Sequence, residues 1–156
     1  MRCREYRLAV RQLNHASIVG LYDSIPKCLS LVVAEVERVG GKPPKQYTDL
    51  TALTDDSAVD AILICTPNFT HRAIFDSVKA SKKPIFLEKP MATTLDDALY
   101  LAQAALAYPA PIQLGMQYRY KSQYQLALSA LEKNELGPVH TISLCEYRPP
   151  FLGKVG

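Results

Sequence analysis

Residues 58–94, AVDAILICTPNFTHRAIFDSVKASKKPIFLEKPMATT, constrain the fold more than any other stretch of the chain. Ala61 to Cys65 is a short unbroken apolar run, the pattern of a parallel strand buried on both faces. Thr66, Pro67 and Asn68 must end it, because proline has no amide to donate and asparagine favours turns. From Thr70 onward Ala73, Ile74, Val78 and Ala80 recur at roughly helical spacing. Ser81, Lys82 and Lys83 close that segment with positive charge suited to a helix C-terminus. Pro84 to Leu87 is a second apolar run, ending in Glu88, Lys89 and Pro90. A strand, a crossover helix and a strand of these lengths make a right-handed βαβ unit. The loops 66–71 and 88–90 then leave the carboxyl ends of adjacent parallel strands, where open α/β sheets bind ligands.

The rest of the chain repeats the alternation. Met1 to Leu13 places Tyr6, Ala9, Val10 and Leu13 on one face of an amphipathic helix, with arginines mostly on the other. Ala16 to Tyr22 reads as a strand ending in Asp23. Pro26 then opens a helix that runs to about Val39 and is stopped by Gly40 and Gly41. Gln46 to Thr48 suits a short strand, Asp49 to Thr54 a short helix, and Asp55 to Ser57 a turn. Thr93 or Thr94 caps an Ala-rich helix that carries Asp96 and Asp97 in its first turn, where carboxylates suit the helix dipole, and that ends near Ala107. Ile112 to Met116 is a further apolar run with Gln117 and Arg119 just beyond it. Lys121 to Asn134 is helical in pattern, and Val139 to Glu146 alternates as a half-buried strand does. The expectation is a doubly wound α/β sheet with a last strand of a different kind.

Composition removes other classes. A 156-residue chain that is 48% hydrophobic and 21% charged has room for one ordinary globular domain and not for two. A net charge of +3 without a dense Lys/Arg block leaves nucleic acid and membrane surfaces without an electrostatic footprint. Cys3, Cys28, Cys65 and Cys145 stand far apart, so neither a zinc site nor a disulfide framework is expected, and reduced thiols suit the cytoplasm. Neither a signal-peptide core nor an apolar run of about 20 residues occurs.

CTPNFTHRA followed by LEKPMATT resembles the cofactor-binding domain of the Gfo/Idh/MocA family of NAD(P)-dependent oxidoreductases. The resemblance implies a Rossmann-like domain over residues 1–136, with ELGPVHTI entering a second, substrate-binding α+β domain at 137–156. It also implies hydride transfer between nicotinamide and a sugar, polyol or related carbonyl compound. Thr66, Pro67, Asn68 and His71 correspond to the loop beside the nicotinamide ribose; taken alone, Thr66, Pro67 and Asn68 suit an ordinary turn and His71 the first turn of a helix. Lys89 corresponds to the family's lysine by the nicotinamide and the substrate hydroxyl, where a lysine beside a cationic ring gives up its proton more readily and works as an acid/base. Glu88 and Pro90 flank it, and Glu88 orients it or binds ribose. Gln117 and Arg119 correspond to a polar loop near the carboxamide or the substrate. Asp23 holds the adenosine ribose of NAD or caps the following helix; Ser24 and Lys27 instead suit the 2′-phosphate of NADP. Arg148 and Lys154 resemble substrate-facing positions of one subgroup, whereas Cys65 reads as core.

One element of the pattern is missing. No GxGxxG turn occurs in the 156 residues, and the strand before it, which lies mid-sheet between those ending at Asp23 and Cys65, is missing too. Two strand edges are then left open, at about 1–3 kcal/mol for each buried unpaired backbone group. The chain is therefore expected to be a fragment or an incomplete gene product, inactive alone, with any homo-oligomer dependent on the second domain. The alternative is a catalytically dead relative that senses cofactor or ligand.

Overall fold

The computed structural model describes residue 13 and residues 15–38 and 42–147. Five short parallel strands alternate with helices: β1 (Gly20–Tyr22), α1 (Pro26–Arg38), β2 (Lys45–Tyr47), α2 (Leu50–Asp55), β3 (Ile62–Ile64), α3 (His71–Val78), β4 (Ile85–Leu87), α4 (Leu95–Ala107) and β5 (Ile112–Leu114). A final helix, α5, spans Ser122–Glu132. The helix expected at Met1–Leu13, and Arg148 and Lys154, fall outside the described residues apart from Leu13.

The strands form two sheets, β1-β2 and β3-β4-β5, all parallel within each. Among the described residues no ladder joins β1 to β3. Side chains bridge the two sheets instead. The Asp56 carboxylate, just after α2, accepts from Lys45 Nζ and Tyr47 Oη of β2, both at 2.7 Å, and from the Ala58 amide at 2.9 Å. Its main-chain carbonyl accepts from Lys83 Nζ at 2.7 Å, two residues before β4. The Lys45 ammonium, with the Ala58 amide and the Tyr47 hydroxyl, holds the Asp56 carboxyl well below its ordinary range.

The core lies on one face of the three-stranded sheet. Ile62 and Ile64 of β3 and Ile85 and Leu87 of β4 pack with Phe75 and Val78 of α3 and Leu101 of α4. The opposite face differs from the expectation of strands buried on both sides: Leu63 is 46% exposed, Phe86 half-buried and its neighbour Gln113 exposed. A parallel strand loses apolar surface on both faces only where helices lie on both. The described helices leave Leu63 open. Cys65, read as core, is half-buried at the strand end.

Local chemistry sets the helix ends. Thr94 Oγ1 accepts from the Asp97 amide at 3.2 Å and caps α4, and Asp49 does the same for α2 through the Ala52 amide at 2.8 Å. The segment expected to be one helix from Thr70 is α3 with a 3-10 turn on each side, Asn68–Thr70 and Lys79–Ser81, and Lys82 closes it in the left-handed region with φ 56°.

Two compact units are present, residues 1–116 and 117–156. In the second, a 3-10 turn at Gln117–Tyr120 precedes α5, and Asn134 and Gly137 take positive φ after it. Tyr118 stacks on Tyr124, lies under the Lys121 ammonium and donates to Glu146 at 2.6 Å. Residues 139–147 form no strand, contrary to their alternating pattern, and all are exposed, Leu144 at 76%. Alternation specifies a strand only when a partner ladder takes up its amides and carbonyls, and none does so among the described residues.

Candidate functional site

The register Ile64↔Leu87 puts the ends of β3 and β4 side by side, so the loops that follow them emerge together. The ladder runs one residue further, with the Glu88 amide donating to Ile64 O at 3.0 Å, before the chains diverge. After β3, the Thr70 amide donates to Pro67 O at 2.9 Å and closes the 3-10 turn. Thr70 Oγ1 lies 2.8 Å from Thr66 Oγ1 and 2.7 Å from Pro67 O. These bonds fix Thr66, Pro67 and Asn68 as a tight corner, with the Asn68 carboxamide half-buried.

After β4, Glu88 turns inward and is only 4% exposed, and one of its carboxylate oxygens accepts from the Lys89 amide. Gly115, just after β5, gives the Phe86 ring its room and lies within ordinary contact of that carboxylate. A β-carbon there would meet Phe86 Cζ at 3.1 Å and Glu88 Oε2 at 3.4 Å. The Lys89 side chain is exposed, and its ammonium makes no hydrogen bond or ion pair with a described residue. The Lys89–Pro90 peptide bond is cis. A buried carboxylate, an exposed ammonium and a half-buried carboxamide give this edge both signs of charge and a neutral donor and acceptor.

His71 is the first residue of α3 and is 1% exposed. Its Nδ1 lies 3.0 Å from Met91 O and its Nε2 3.1 Å from Thr66 O, so the ring is wedged between the two loops. Beside it, Arg72 pairs with Asp97 of α4 at 2.7 Å and covers the Tyr100 ring at 4.2 Å. The Arg72 guanidinium, with the Thr94 hydroxyl, holds the Asp97 carboxyl below its ordinary range.

Thr66, Pro67, Asn68, His71, Glu88, Lys89 and Pro90 are thus brought to one sheet edge. Asp23 stands at the end of β1 in the other sheet, exposed, with one oxygen accepting from the Ile25 amide at 2.9 Å. That Asx turn precedes α1 but is not its cap: the helix begins at Pro26, so Asp23 stands two residues before the cap position, and its other oxygen takes no bond from a described residue. Gln117 and Arg119 belong to the second unit, both exposed on its first turn, where Arg119 O accepts from the Gln125 carboxamide. Two participants were not singled out from the sequence. Met91 acts through its main-chain carbonyl, which no side-chain pattern signals; Gly115 could have been noticed as a glycine closing an apolar run, a mark of close approach.

Parallel strands joined by helices, with polar loops gathered at the strands' carboxyl ends, define a Rossmann-type α/β domain. Residues 3–116 match the model of the oxidoreductase family with an NAD-binding Rossmann fold, and the chain belongs to that Gfo/Idh/MocA family. It is 28% identical over 143 residues to glucose-6-phosphate 3-dehydrogenase of Bacillus subtilis, covering 90% of this chain and 38% of the relative. Over 79 residues it is 38% identical to inositol 2-dehydrogenase of Paracoccus denitrificans, covering 50% of this chain and 24% of that enzyme. The crystal structure of an oxidoreductase from Agrobacterium radiobacter in complex with NAD+, L-tartaric acid and magnesium superposes with a TM-score of 0.73 at 26% identity. That match covers 88% of this chain and 39% of the other. The chain thus spans about two fifths or less of the length of these proteins.

Proposed function

We propose that this chain is the cofactor-binding part of an NAD(P)-dependent oxidoreductase that moves hydride between nicotinamide and the alcohol carbon of a sugar, polyol or related compound. The observation that carries the reading is the exposed Lys89 ammonium at the shared mouth of two βα loops, next in the chain to the buried Glu88 carboxylate.

The residues present fit one end of a dinucleotide. Asn68 and Thr66 offer polar groups to a ribose and its ring, and the Lys89 amide is already oriented by Glu88. No glycine-rich turn for a pyrophosphate occurs in the 156 residues. When bound, the nicotinamide supplies the hydride acceptor or donor. Lys89 Nζ is assigned to exchange a proton with the substrate hydroxyl, and Glu88 holds the Lys89 main chain so that Nζ faces the opening. Pro90 limits how that segment can turn. Asp23, with one oxygen open, is assigned to the adenosine ribose; Gln117 and Arg119 are assigned to the carboxamide or substrate. Residues 137–156 are assigned to the start of a substrate domain. Cys28 and Cys145 are free thiols, which suits the cytosol. No helix of the described residues is long and apolar enough to cross a membrane.

The test is a fluorescence titration of NADH and of NADPH into the chain, which has no tryptophan to overlap the signal. Saturable binding is expected. Lys89→Ala should keep the dissociation constant within about threefold, because Nζ is assigned to proton exchange and not to holding the cofactor. Absence of binding by a folded chain refutes the reading.

A further inference from the structure

His71 carries an inference that deepens the proposed cofactor reading and rests on it. The ring is 1% exposed, and each nitrogen faces a main-chain carbonyl: Thr66 O at 3.1 Å after β3 and Met91 O at 3.0 Å after β4. No polar atom of the side chain is left for a ligand. Both partners are pure acceptors; a neutral imidazole donates to one of them and an imidazolium to both. In either form the ring fills the gap between the two strands of backbone.

We infer that His71 is a positioning residue, a spacer that sets the separation of the 66–68 and 88–91 loops and thereby places Lys89 opposite Asn68, without itself touching the cofactor. The geometry gives it that leverage. Past the last ladder bond, Glu88 N to Ile64 O at 3.0 Å, the loops diverge from the sheet, and His71 meets both. Thr66 is two residues before Asn68, and Met91 is two residues after Lys89. The His71 main chain is held as well: its amide donates to Asn68 O, and it opens α3, whose Phe75 and Val78 are buried against the sheet. The ring is therefore anchored on a core helix and reaches both loops, so its width is transmitted to the gap.

Conservative substitution separates the two contacts. An asparagine amide reaches about as far as Nδ1 and keeps the Met91 side; a glutamine amide reaches about as far as Nε2 and keeps the Thr66 side. Hydrogen exchange of the 156-residue chain and of His71→Asn, His71→Gln and His71→Ala reads the loops directly. The reporters are the Thr70 amide, bonded to Pro67 O, and the Lys89 amide, bonded to the Glu88 carboxylate. His71→Asn should speed exchange at Thr70 more than at Lys89, His71→Gln the reverse, and His71→Ala both. NADH titration of the same proteins should show affinity reduced by about fivefold for each single lost contact, equivalent to one net hydrogen bond. Rescue graded from alanine to the amides marks positioning, since a role confined to stability would lower the melting temperature alike in all three and leave affinity unchanged. Unaltered exchange at both reporters overturns the spacer. Altered exchange with affinity within about twofold of a binding wild type overturns its bearing on the cofactor. A wild type that binds no NADH refutes the cofactor reading, and the positioning role falls with it, whereas exchange still reports the contacts themselves.

Discussion

Gly20 is where the join between β1 and β2 is most sensitive to a single methyl group. A β-carbon there would sit 2.6 Å from Tyr47 Cε2, closer than two carbons approach without displacement. The ring cannot turn aside without cost, because Tyr47 is buried and its hydroxyl is bonded to Asp56 at 2.7 Å. Gly20→Ala must therefore push β1 off its register with Lys45 or pull the ring from the hub that bridges the sheets. Overpacking of this kind costs about 1–3 kcal/mol. Replacing glycine by alanine returns about 0.4–1 kcal/mol by restricting the unfolded chain. The net expectation is a loss of about 1–2 kcal/mol, measured as a lower urea midpoint at unchanged slope by circular dichroism. A second background makes the reasoning decisive. With Tyr47→Val the ring is gone, and Gly20→Ala should become neutral or stabilising by about 0.4–1 kcal/mol. The same cost in both backgrounds, or a cost below about 0.3 kcal/mol in the natural one, would refute the clash as its cause.

Leu101 is buried on α4 and lines an apolar cavity of about 80 Å³ with Phe75, Leu87 and Met91. Leu101→Ala enlarges a void already present, so a loss of about 3–5 kcal/mol is expected from the same denaturation, and a loss below about 2 kcal/mol would show that the site collapses. The Asp56 hub predicts an acid limb. Its carboxyl lies below the ordinary 3.8 in the folded chain, so its stabilisation is complete above that value and is lost as pH falls through the depressed one. Asp56→Asn should lower the urea midpoint near neutrality and flatten its dependence on pH below about 4; an unchanged acid limb would contradict the assignment.

The sequence by itself determined the succession of elements. The runs around Ile62–Ile64, Ile85–Leu87 and Ile112–Leu114 are strands where they were expected, because they are β-branched-rich or apolar, too short for a helix and bounded by breakers. Thr94 caps its helix, and the loops after β3 and β4 meet, since adjacency of parallel strands follows from the right-handed crossover. That residues 66–71 and 88–90 share one sheet edge was legible for the same reason, whereas Asp23 follows β1 of the other sheet and Gln117 and Arg119 belong to the second unit. The internal wiring of that edge was not: His71 could be read as opening a helix, but only the folded chain shows its ring buried against two carbonyls, which belong to the backbone and leave no mark in residue type. Val139 to Glu146 shows the opposite limit. Its alternation is local, but a strand is a pairing between segments, and the described residues supply none. Likewise Leu63 was apolar enough to be buried, and whether it is depends on helices elsewhere in the chain. What lies within a few residues of chain could be read from order alone; what depends on which distant groups meet was decided by tertiary packing.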